Sequence, residues 1–213
     1  MEPNDHLQSD EDLSISFERL AVPDATDILF GPAGDWWNNA CLLPGAWGYI
    51  AGYKIAADKL VSDIESNRQD QDKLVYPIVF LYRQYLELAV KGLIQDGRRL
   101  LDIDDWTPIT HHRIDRLWPI CSGLLAQISP GDSVEEVAQI GRLIDEFCRI
   151  DPTSMAFRYP SDKEGKPSLV GLGVINLRNI RDVISKISVI LDGASYQLDH
   201  YLSIKSEILG SAL

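Results

Sequence analysis

The chain is poor in cysteine. Its three, Cys41, Cys121 and Cys148 in 213 residues, are too few and too scattered for a disulfide framework or a CxxC metal site, and they read as free thiols in a reducing cytoplasm. It is also poor in positive charge, with 20 basic residues against 32 acidic ones and a net charge of −12. That balance excludes indiscriminate binding to polyanions, because affinity for phosphates comes from lysine and arginine releasing counterions; a local basic pocket is still allowed. No long apolar run is present. The least charged stretch, Trp36 to Tyr53, carries Asn38, Asn39, Pro44 and several glycines, which suit no lipid-facing helix. The opening MEPNDHLQSDEDL has neither the basic nor the apolar part of a secretory leader. GxGxxG, P-loop, HExxH and GxSxG signatures are all missing, so neither a nucleotide cofactor nor a metal is expected from motifs. Strand-type alternation is nearly absent too, which points to an all-α fold.

What is present is 45% hydrophobic and 24% charged, the profile of a globular protein able to bury a core unaided. Residues 1–15 read as an acidic flexible arm, since low hydrophobicity and like charge disfavour packing. Residues 16–45, rich in Pro, Gly, Asp and Trp, read as an irregular segment with Trp36 and Trp37 as apolar anchors. Residues 46–213 are expected to form one bundle of about five helices. Ala46, Tyr49, Ile50, Tyr53, Ala57, Leu60, Val61 and Ile64 share a face and predict a first helix ending near Asn67. A second is expected from about Asp72 to Asp96, with Pro77 kinking its start and Gly97 as C-cap. Its core, LVYPIVFLYRQYLELAVKGLI, is apolar nearly all round and belongs in the middle of a bundle.

A third helix is expected over His111 to Ile128, with Thr110 as N-cap and a kink at Pro119. A fourth opens with the capping box Ser133/Glu136 and an apolar stripe of Val134, Val137, Ile140, Ile144 and Phe147. Residues 151–173, with prolines, glycines and an SDKEGK tip, predict a loop or a short hairpin-like excursion. The final element is long. Leu177, Ile180, Ile184, Ile187, Leu191, Ala194, Leu198, Tyr201, Lys205 and Ile208 step by three and four. A seam of that length packs within the bundle or across a homodimer.

Three constellations could carry chemistry. Arg83, Glu87 and Lys91 stand at i, i+4 and i+8, one polar stripe on an apolar rod. Such a stripe is either a charge ladder or a partly buried cluster, and buried charges must be paired or used. His111 and His112 are adjacent, which is not the i, i+3 or i+4 spacing of paired metal ligands on a helix; one of them is expected to face the core or the polar stripe. Asp151, in DPTS, and Arg158, between Phe157 and Tyr159, make the third: a turn cap, and an arginine that either reaches a carboxylate such as Asp151 or Glu87 or awaits an anion. Together Arg83, Glu87, His112 and Arg158 are expected to form one partly buried cluster.

The stretch FLYRQYLELAVKGLIQDG followed by ITHHRIDRLW resembles the signature of HEPN domains, an aromatic-x-x-LE-x-A-x-KALL-x-x-G helix leading through a loop to THxLxxLL. The matching positions are Leu86, Glu87, Ala89, Lys91, Gly92, Leu93 and Ile94, then Thr110, His111 or His112, and Leu117. The resemblance extends over residues 46–128, and by shape over 174–210. YPIVFLYRQYLEL and DPTSMAFRYP look similar to stretches of bacterial HEPN-like proteins of unassigned function. The resemblance implies a helical bundle, frequent homodimerisation and work on or near RNA, in members that serve as toxins, antiphage effectors or partners of nucleotidyltransferases. Ribonuclease members carry an arginine, four to six intervening residues and then a histidine, usually in the last long helix. No histidine here, His6, His111, His112 or His200, has that arginine; the nearest before His200 is Arg181.

The expectation is therefore a cytoplasmic HEPN-like binding or regulatory module associated with RNA or a nucleotide, homodimeric through the C-terminal helix or joined to a protein partner, in a defence or stress setting. One alternative is a metal-independent ribonuclease or other phosphate-substrate enzyme, with Arg83, Lys91 and Arg158 holding phosphate, His111 or His112 as acid or base, and Glu87 orienting it. Another is an interaction scaffold alone.

Overall fold

The computed structural model describes residues 22–23, 25–31, 34, 36–104, 109–131 and 134–211. The acidic arm and the Ser133 cap lie outside these residues. The chain divides into two units, residues 1–41 and 42–213. In the first unit the described residues are irregular apart from one 3₁₀ turn, Trp36–Asn38. There the Trp36 and Trp37 rings pack edge to face on each other, 5.9 Å apart, the arrangement that ring quadrupoles favour.

The second unit is an all-α bundle of five helices among the described residues: α1 Trp47–Asn67, α2 Gln71–Leu100, α3 Ile114–Ile128, α4 Val134–Ile150 and α5 Leu177–Ser211. α2 packs against α1, α3 and α5, so the helix with the most nearly continuous apolar surface occupies the centre. α3 carries α4, and α5 also touches α1. Between α1 and α2 two non-glycine residues adopt left-handed backbone. Arg68 ends α1 with its N–H on the Ile64 carbonyl, and Asp70 begins α2. Pro77 sits inside α2 without ending it.

Two boundaries differ from expectation. Gly97 does not cap α2. It lies buried within the helix against Leu124 and Ile128 of α3, and the helix runs on through Arg98, Arg99 and Leu100. Tertiary packing, not local propensity, decides this end. Lys205 of α5 places its ammonium on the carbonyls of Arg99 (3.1 Å) and Leu100 (2.8 Å) and on the Asp102 carboxylate (2.6 Å). The last carbonyls of a helix otherwise lack partners, and a cation there also suits the helix dipole. Lys205, the one charged member of the α5 seam, is thereby accounted for.

The second difference is at α3, which starts at Ile114 and not at His111. Arg113 is its N-cap in extended conformation, with no side-chain cap hydrogen bond. Thr110, His111 and His112 therefore belong to the extended approach to the helix, and the Arg113 guanidinium forks onto Asp115 of the first turn instead. Pro119 is carried inside α3.

α4 keeps its stripe inward at Ile140, Ile144 and Cys148, whereas Val134 is exposed. Its Gly141 is required by packing: a Cβ there would come 2.9 Å from the Trp118 indole nitrogen of α3. Residues 151–173 form the hairpin-like excursion. Ser161 and Pro167 make an antiparallel bridge, and the Asp162 carboxylate accepts from the N–H groups of Glu164 and Lys166 to hold the tip.

α5 opens on Asn176, whose side chain accepts from the Asn179 N–H. Leu191 and Leu198 are only 2% and 1% exposed, so α1 and α2 of the same chain cover the middle of the seam and no second copy is needed there. Beyond them Tyr201, Ile204, Ile208 and Leu209 are exposed. No helix among the described residues is long and apolar enough to cross a membrane.

Candidate functional site

The polar stripe of α2 faces inward. Arg83 is fully buried and the Glu87 side chain is 2% exposed. One turn separates them, and Arg83 Nη1 donates to Glu87 Oε2 at 3.3 Å. A turn further on, Lys91 Nζ donates to Glu87 Oε1 at 2.8 Å. The extended residues before α3 complete the group. His112 Nδ1 meets Glu87 Oε1 at 2.8 Å, while the His112 carbonyl accepts from Arg83 Nη2 at 2.6 Å.

One carboxylate thus serves an arginine, a lysine and an imidazole, and the arginine fastens the backbone of the neighbouring segment. Burial alone would raise the Glu87 carboxyl. The hydrogen bonds and charges of Lys91 and His112 outweigh it and hold Glu87 below the usual carboxylate range. Among the described residues Arg83 Nε is buried without a partner.

Access differs sharply within the cluster. Arg83 and Glu87 are sealed, Lys91 is partly buried, and the His112 ring is 60% exposed. Because Nδ1 is engaged by Glu87, the Nε2 edge is the one left to a visiting group. His112, not His111, faces the cluster. His111 is exposed, and its Nδ1 accepts the Arg113 N–H at 3.3 Å. Arg113 and Arg116 lie in the same stretch, with Arg113 neutralised by Asp115.

Arg158 does not join this group. Its guanidinium carbon lies 5.4 Å from the centre of the Phe80 ring and 5.2 Å from that of Tyr159. Its N–H groups reach Met155 Sδ at 3.7 Å and Tyr159 Oη at 3.3 Å, and among the described residues it has no ion pair to Glu87 or Asp151. Asp151 turns into its own loop instead, and its buried Oδ2 has no hydrogen-bond partner among the described residues. Its Oδ1 caps the following turn by accepting from the N–H groups of Met155 and Ala156 at 2.8 and 3.1 Å. Ser154, left-handed and buried, accepts from Gln84 of α2 at 2.9 Å. The loop is fastened to α2 through Ser154, and Arg158 stacks against α2 through Phe80.

Sequence reasoning missed other polar fastenings. Tyr82 Oη donates to Asp58 at 2.7 Å, tying α2 to α1. Glu65 of α1 takes Arg178 and Arg181 of α5, which hold its carboxyl low. Both are contacts between distant segments, and no spacing within one helix signals them. Cys121 and Cys148 are buried free thiols, and burial pushes Cys121 up to about 12, which makes it a poor nucleophile. Among the described residues no group of three or more His, Cys, Asp or Glu is placed to hold a metal. No protein-family model, curated protein or solved structure matches the chain.

Proposed function

We propose that the protein is a HEPN-like, RNA- or nucleotide-associated binding module whose contact surface is the His112–Lys91 rim of the Glu87 cluster. The observation that carries this reading is the arrangement of charge. Arg83, Lys91 and His112 converge on one buried carboxylate, and the imidazole edge stands at the surface. An edge of lysine and imidazole donors suits phosphate oxygens, and the sealed Glu87 holds it in place. The resemblance of the α2–α3 stretch to the HEPN signature supports the same choice.

The test is fluorescence polarisation of a labelled single-stranded RNA on the full chain, in low and moderate salt. Saturable, salt-sensitive binding that weakens about fivefold or more in the Lys91→Ala/His112→Ala double variant is the expected result, since each phosphate contact adds to the salt-dependent part of affinity. RNA binding that is absent, or equal in the double variant, rejects the reading and leaves a protein-contact scaffold.

The His112–Glu87 pair favours one further reading, a metal-independent ribonuclease or other phosphate-substrate enzyme. A carboxylate on Nδ1 fixes the ring and leaves Nε2 to exchange a proton with substrate, the division of labour found in general acid–base catalysis. Cleavage of RNA in the presence of a chelator, lost in His112→Ala, selects it. RNA that stays intact removes it. Homodimerisation, if it accompanies either role, uses the far end of α5, where Ile208 is 62% exposed; light scattering of wild type and Ile208→Glu checks this.

A further inference from the structure

α4 packs on α3, whereas α5 packs on α2 and α1. Between α4 and α5 this leaves an apolar cleft of about 300 Å³, with Leu143 and Phe147 on one wall, Val183 and Ile187 on the other, and Val79 and Leu86 of α2 at its base. A cleft of that size falls in the range that holds small ligands. It shares Phe157, Leu172, Val174 and Ile175 with a wider groove of about 760 Å³, which is bounded by Tyr76 at the start of α2 and by Arg158 and Tyr159. Val174, common to both cavities, is 91% exposed.

Charge is distributed unevenly along this path. Arg158 is the cation of the groove. Its guanidinium is held by the Phe80 and Tyr159 rings with no carboxylate neutralising it among the described residues. An arginine stacked on aromatic faces keeps its N–H edges for a planar anion, and the rings reduce the freedom it would lose on binding. Two acids also line the cavities. Glu146, at the cleft, is paired with Arg142. Asp72, at the groove, belongs to the first turn of α2, where the helix N-terminus compensates a negative charge.

We propose that groove and cleft form one binding site for an amphiphilic carboxylate, with its apolar body between α4 and α5 and its carboxylate on Arg158. The apolar cleft would supply most of the affinity, growing with each methylene buried. The bidentate arginine–carboxylate contact would orient the molecule. This site is separate from the Glu87 cluster and does not depend on the RNA reading.

The experiment is isothermal titration of the full chain with decanoate, below the concentration at which decanoate aggregates, with 1-decanol as the uncharged comparison. Three variants accompany wild type: Arg158→Gln, Arg158→Lys, and Val183→Trp, which fills the cleft. The expected result is saturable one-to-one binding of decanoate. It weakens about tenfold in Arg158→Gln, the scale of one charge-assisted contact, and less in Arg158→Lys. It is lost in Val183→Trp, with thermal unfolding checked for each variant. Decanol should bind more weakly than decanoate and be indifferent to Arg158→Gln. Absence of saturable decanoate binding overturns the proposal. So does decanoate affinity equal in wild type and Arg158→Gln, which would leave non-specific partition onto apolar surface.

Discussion

Two arginines set side by side, Arg83 on α2 and Arg158 on the excursion after α4, show how differently one charged group can be managed. Arg83 is fully buried and held by Glu87 one turn away and by the His112 carbonyl. Arg158 is exposed and stacked on two rings, with no ion pair among the described residues. The helix made the first possible: an i, i+4 step delivers a carboxylate whatever the rest of the chain does. The loop offers no such repeat. One acid of the same loop, Asp151, gives one oxygen to the N–H groups of its own turn and does not reach Arg158. A charge that must be buried is therefore found where the backbone period supplies its partner, and a charge left for another molecule is found where it does not.

The comparison breaks most decisively at Glu87. Replacing it by alanine leaves Arg83 buried and unpaired, and a loss of about 3 kcal/mol in a denaturant melt is expected, the scale for removing one partner of a buried pair. Glu87→Gln keeps an acceptor and should lose clearly less. A cost under about 0.5 kcal/mol for both, ordinary for exposed sites, would mean the cluster is solvated. The same residue sharpens the comparison through pH. The folded-state pKa of Glu87 is lowered, so its stabilisation is fully present above the unfolded carboxyl value of about 4.3 and is lost as pH falls through the folded value. The stability gap between wild type and Glu87→Gln should narrow on acidification below that range. A gap that is constant from neutral to acidic pH would refute it.

Next in size is Gly141→Ala. The added methyl meets the Trp118 indole, so a loss of about 2 kcal/mol is expected, typical of overpacking. An unchanged melting temperature would mean that α3 and α4 part easily. Lys205→Met removes the cation from the carbonyl end of α2 and should cost about 1 kcal/mol, with faster amide exchange in the last turn of α2 as the local sign. The smallest effect belongs to Arg158→Gln, within about 0.5 kcal/mol of wild type by the same melts. A larger loss would show Arg158 to be structural, like Arg83, and would erase the contrast.

Much of the fold could be read along the chain, because helices announce themselves locally. The three-and-four spacing of Ala57, Val61 and Ile64 marks α1, and the nearly all-round apolar surface of Leu74 to Ile94, broken by one polar stripe, marks the central position of α2. The SDKEGK tip marked the excursion. Gly97 misled because a glycine near a helix end is usually a cap, while here its missing side chain admits Leu124 and Ile128 of α3. His111 and His112 misled because helical pattern and extended approach cannot be told apart until Arg113 is seen turning to Asp115.

For the candidate site the division is the same. The chain order by itself determined that Arg83, Glu87 and Lys91 share one face, since the α-helical repeat is a property of the backbone. Only the tertiary structure decided that this face points inward, that His112 closes the cluster, and that Arg158 stands apart on Phe80. It also decided that Lys205 serves the end of another helix and that Leu191 and Leu198 are covered within one chain. Each of these depends on which distant segments share a boundary, and that is set by how the apolar faces of five helices are buried together, a sum over the whole bundle that no local spacing contains.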